Sequence, residues 1–76
     1  MDITAAQCRA GRALIRMQQA ELAEKSRVSM RTIAGFETDK TAPVPSTLAA
    51  IQRALETAGI EFTDDGGVRP KPPCAG

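Results

Sequence analysis

Residues 19–37 place the tightest limit on how this chain can fold. They carry apolar residues at helical spacing, but Val28-Ser29 interrupts the stripe once. A single helix across the whole stretch would waste Ser29, whose hydroxyl is best used at a helix start, where backbone N–H groups lack partners. The reading is therefore two short helices, Gln19 to about Ser26 and Met30 to about Glu37, joined by the short turn Ser26-Arg27-Val28. Ala20, Leu22 and Ala23 are expected to face inward from the first helix, and Ile33 and Phe36 from the second. Gln18 falls at the N-cap of the first, where it is a poor substitute for Ser or Thr.

The flanking segments extend the same pattern. Thr4-Ala5-Ala6-Gln7 is a capping box, with Ile3 and Cys8 at the two staple positions, so a helix is expected from Ala5 to Ile15 or Arg16. Cys8, Gly11, Arg12 and Ile15 share one face of it, and Gly11 on that face suggests close approach by another helix. Thr38 to Pro45 reads as a loop, since Pro43 and Pro45 cannot continue a helix. Ser46 is the expected cap of a fourth helix with the stripe Leu48, Ile51 and Leu55, and Gly59 ends it in left-handed geometry. Ile60-Glu61-Phe62 alternates as a strand does, Thr63 to Gly67 is a turn, and Val68-Arg69 can pair back as a hairpin. From Pro70 onward the residues read as a disordered tail. The expected division is 1–59 for a helical domain, 60–69 for a hairpin or strand extension and 70–76 for the tail.

Composition narrows the function classes. Seventy-six residues suit one domain, and with two Phe, no Tyr and no Trp the core must come from aliphatic residues, Ala and Met. There is no His, and Cys8 and Cys74 are far apart with no metal-ligand neighbours, which argues against metal sites, cofactors and catalysis. Two such cysteines form no disulfide framework, Cys8 reads as a small buried hydrophobe, and Met1-Asp2-Ile3 does not read as a signal peptide. The expectation is a reduced, cytoplasmic setting without a membrane. The net charge is only +1, but residues 9–40 hold seven basic against four acidic side chains, while residues 41–76 hold three against four. This asymmetry is compatible with a nucleic-acid partner.

Two short helices joined by a tight turn form a helix-turn-helix, whose second helix enters the major groove of DNA. The spacing Gln19-Ala20-Glu21-Leu22-Ala23, then Val28-Ser29, Thr32-Ile33 and Glu37 resembles that of the Cro and phage-repressor family, also termed XRE-type. The resemblance covers about residues 4–58. It implies a mainly α fold, four helices of Cro/repressor type with a short C-terminal β-hairpin, and it assigns roles to matching positions. Gln19 resembles the residue that touches a DNA phosphate. Ser29, Met30, Arg31 and Thr32 match the start of the recognition helix, with Gly35 one turn later on the same face. Lys40 and Thr41 match the loop that meets the DNA backbone, and Arg12 and Glu37 match a semi-buried ion pair. Three positions depart from the family: Arg27 and Asp39 stand where it usually has Gly, and Gln18 replaces a hydroxyl cap.

The expected function is a sequence-specific transcriptional regulator, more often a repressor because so short a chain leaves no room for an effector domain. The expected partners are double-stranded operator DNA and a second copy of the chain, with no small-molecule ligand. Leu14, Ile60, Phe62 and Val68 are candidate dimer-interface residues. Two rival expectations share the fold: a protein-interaction module of antiactivator or antitoxin type, and an accessory excision or architectural DNA binder.

Overall fold

The computed structural model describes residues 3–71. Among these, four helices precede a two-stranded antiparallel hairpin: α1 (Ala5–Leu14), α2 (Gln19–Ser26), α3 (Met30–Glu37), α4 (Pro45–Thr57), β1 (Ile60–Phe62) and β2 (Val68–Pro70). The expected fold class is the observed one. Cys74 and residues 72–76, most of the expected tail, lie outside the described residues. No helix among the described residues is long and apolar enough to cross a membrane.

Three of the four helices start for a local reason. At α1 the capping box is complete: Thr4 Oγ1 accepts from the Gln7 N–H at 3.1 Å, and Gln7 Oε1 accepts from the Thr4 N–H at 2.8 Å. The amide of Gln7, itself buried, also donates to the carbonyl of Gly67, so one side chain caps α1 and holds the hairpin turn. At α3, Ser29 Oγ accepts from the Thr32 N–H at 3.1 Å. Gln18 occupies the cap of α2 in extended geometry but makes no side-chain capping bond.

The start of α4 differs from expectation. Its cap is Val44, not Ser46, and Pro45 is the first helical residue. A helix's first N–H has no intrahelical acceptor, so proline loses nothing there and its fixed φ suits the helix. Proline thus ends the loop by starting the helix. The Val44 carbonyl accepts from the Thr47 and Leu48 N–H groups at 2.9 and 3.0 Å.

Leu22, Ile33, Ile51, Leu55, Ile60 and Cys8 are the largest fully buried side chains, drawn from α1 to α4 and β1. Ala20 is exposed, contrary to expectation. The buried positions of α2 are Leu22 and Ser26, with Gln19 and Ala23 partly covered, a stripe at i, i+3, i+4 and i+7 that leaves Ala20 on the outer face. Gly11 does permit a close approach, but chiefly by a strand residue. A Cβ there would meet Ile60 Cγ2 at 3.4 Å, and Leu55 of α4 only at 3.8 Å.

The hairpin belongs to this core. Ile60 is completely buried, and Phe62 and Val68 pack against the cluster. Ile60 therefore cannot serve as interface material, and the hairpin packs against the helices. Pro70 pairs with Ile60, and the Lys71 N–H donates to the Gly59 carbonyl at 2.8 Å, so ordered pairing continues past the point where a tail was expected. Proline is compatible with this two-stranded edge because its missing N–H can face outward.

Candidate nucleic-acid interface

The turn between α2 and α3 is built around Ser26. Its hydroxyl donates to the Leu22 carbonyl at 2.7 Å and accepts from the Val28 N–H at 3.3 Å, so a buried serine closes one helix and directs the chain into the next. Arg27 follows in left-handed geometry at φ +60°, which costs a long side chain about 1 kcal/mol. Asp39 does the same after α3 at φ +60°, and Arg16 before α2 at φ +54°. Arg16 was not anticipated, because nothing in its residue type favours that geometry.

Ser29, Met30 and Arg31 are exposed at the start of α3, Met30 to 52%. Thr32 is half-buried. The Ser29 hydroxyl donates to Thr32 Oγ1 at 2.8 Å while accepting from the Thr32 backbone, so in the free protein these two hydroxyls serve the cap. The exposed face continues into a shallow concavity lined by Arg31, Ala34, Gly35, Thr38, Lys40 and Thr41. This brings together Arg31, Gly35, Lys40 and Thr41 from the helix and the loop behind it. The loop is held by the Gly35 carbonyl, which accepts from the Lys40 and Thr41 N–H groups at 2.9 and 3.3 Å. Two cations beside a small-residue floor suit a polyanion with bases recessed between its phosphates.

Behind this face lies a polar cluster centred on Glu37, which is buried. Its carboxylate accepts from Arg12 Nε at 2.6 Å, Arg12 Nη2 at 2.5 Å, Gln19 Nε2 at 3.0 Å and the Cys8 thiol at 3.1 Å. Arg12 Nη1 also donates to the Met17 carbonyl at 2.9 Å, and Arg9 donates to the Glu37 carbonyl. Burial pushes the Glu37 carboxyl toward its neutral form, but the bonds from Arg12, Gln19 and Cys8 and the charge of Arg12 prevail and hold it below the ordinary range. The Glu37 bond raises Arg12 further above its usual value. Burial raises Cys8, so the thiol stays protonated as a donor.

Cys8 is therefore a hydrogen-bonding member of the cluster and not merely a small hydrophobe. Its place four residues before Arg12 on one helix face was the available signal. Gln19, matched to a phosphate contact, has its amide turned inward to Glu37 and sits half-buried. Its position at the head of α2 still places it at the helix N-terminus. Among the described residues, no group of three or more His, Cys, Asp or Glu could hold a metal ion.

The helix-turn-helix family model matches residues 9–62, from α1 through β1. No curated protein matches the chain.

Proposed function

The chain belongs to the Cro/C1-type helix-turn-helix family, and from that premise we propose that it is a sequence-specific repressor that binds an inverted-repeat operator as a homodimer. Membership makes it a DNA-binding regulator; the operator symmetry, the dimer and the sign of regulation are the proposal. The observation that carries it is the concavity joining Arg31 on α3 to Lys40 and Thr41 on the following loop, beside exposed Met30. Arg31 is suited to a guanine edge and Lys40 to a phosphate.

One recognition helix with so few base-reading side chains covers about 4–6 base pairs, too few to mark one site in a genome. Two copies on a palindrome double that length and place the recognition helices about 34 Å apart. Leu14, 47% exposed, remains a candidate for the contact between copies, as do the outer parts of Phe62 and Val68. Repression asks only that the bound dimer occlude a promoter. The cytoplasm is the proposed compartment.

The test is a gel shift against palindromes upstream of the protein's own reading frame, with sedimentation of the free and DNA-bound protein. The expected result is a salt-sensitive specific complex of two chains per site. A monomer at tens of micromolar that stays monomeric on a half-site would refute the dimer. The net charge of +1 favours a second reading, a protein-interaction module with this fold. That reading gains if no palindrome is bound more tightly than random DNA.

A further inference from the structure

One turn after Arg31, on the same face of α3, the chain has no side chain to offer, because residue 35 is glycine. The space above it is nevertheless filled. A Cβ built on Gly35 would lie 2.8 Å from Thr41 Oγ1, 3.3 Å from Thr41 Cγ2 and 3.6 Å from Thr41 Cβ. Those separations are shorter than or near van der Waals contact, so Thr41 occupies the volume in which a side chain at 35 would begin. The placement is fixed through the backbone. Asp39 turns the chain back in left-handed geometry, and the Lys40 and Thr41 N–H groups both close onto the Gly35 carbonyl.

Thr41 is also exposed and lines the same concavity as Arg31. Its hydroxyl makes no hydrogen bond to another side chain or backbone group among the described residues, unlike those of Ser29, Thr32 and Thr38, which are engaged within α3 or its cap.

We propose that Thr41, reaching over Gly35 from the loop, is a specificity-determining residue that reads the base pair beyond the one read by Arg31. The inference rests on the DNA-binding reading above. A threonine carries a hydroxyl able to donate to or accept from a base edge and a methyl able to pack on the thymine methyl, so it can discriminate in the major groove. A loop residue that contacted only phosphate would fix register without reading sequence. Glycine at 35 is what admits this arrangement: any larger residue would push the loop away and supply its own side chain instead.

The experiment is selection from a randomised DNA library with the full chain, using wild type, Thr41→Val (shape kept, hydroxyl lost) and Thr41→Ser (hydroxyl kept, methyl lost). Far-UV circular dichroism and thermal melts show that each variant is folded. Wild type is expected to enrich a half-site motif, and at least one variant to lose about tenfold of the preference at a single base pair while the other positions stay unchanged. Uniform weakening on all sequences would mark a phosphate contact and overturn the inference, as would profiles identical to wild type for both variants. If wild type itself enriches no motif, the DNA-binding reading fails and the inference falls with it. The two failures are thereby distinguished.

Discussion

Gln19, the first residue of α2, donates its side-chain amide at 3.0 Å to Glu37, the last residue of α3. The two helices of the DNA-binding unit are thus tied at the outer end of each, while Ser26 and Val28 join them at the turn. Arg12 and Cys8 bring α1 to the same carboxylate. One acid therefore fixes the relative position of three helices, and with it the face that α3 presents.

Removing either partner of the central pair leaves the other charge unmatched in a buried setting. Glu37→Ala and Arg12→Ala are each expected to lower stability by about 1–4 kcal/mol, with the larger loss for the variant that strands the more buried group. Because both deletions break the same contact, the double variant is expected to be less destabilised than the sum of the singles. Urea titrations of the four proteins measure the coupling. Additive losses would show that the pair does not act as a unit.

The carboxyl of Glu37 titrates below its ordinary range in the folded chain, and this sets the sign of an acid dependence. A group whose folded pKa is depressed contributes stability above its unfolded pKa, about 4.3 for glutamate, and loses it as pH falls through the folded value. Stability is expected to be flat in this respect from neutral pH to about 5 and then to decline. Glu37→Gln should flatten part of that decline, which thermal melts from pH 3 to pH 7 would reveal. An unchanged acid slope in the variant would assign the decline to other carboxylates.

Gln18 holds extended cap geometry at φ −82° and ψ 158° but makes no capping bond. Serine there would keep the backbone and supply an acceptor for an orphan N–H of α2. Gln18→Ser is expected to raise stability by about 0.5–1 kcal/mol. A lowered urea midpoint would mean that Gln18 has a contact that serine cannot replace.

Ile60 is fully buried in a chain with few large apolar residues. Ile60→Ala should cost about 2–5 kcal/mol, a core-sized loss, and should lower the melting temperature of the whole cooperative unit. Helical signal that melts as in wild type would show that the helices do not depend on the hairpin.

Arg31 is exposed, and no ion pair among the described residues engages it. Arg31→Ala is therefore expected to leave the melt unchanged while weakening binding to a selected operator by about 1–3 kcal/mol. Gel shifts at one fixed salt concentration test this, and wild-type affinity of the folded variant would remove Arg31 from the reading face.

The helices were legible in the sequence because local rules decide them. The Thr4–Gln7 box and the Ser29 cap set two helix starts through groups only a few residues apart, the break at Val28-Ser29 separates α2 from α3, and Gly59 at φ +110° ends the fourth helix by its own backbone freedom. The family spacing likewise marked Arg12 and Glu37 for the same cluster. Beyond that pair, what the sequence could not carry was the contacts that depend on where a distant segment lands. That Cys8 donates to Glu37, that Gln19 turns inward, that Ile60 fills the space over Gly11 and that Thr41 covers Gly35 are all decided by tertiary packing. A thiol, an amide or a glycine has no single partner written into its type. Its role follows from which groups burial brings within hydrogen-bond or van der Waals range, and only the closed fold fixes that.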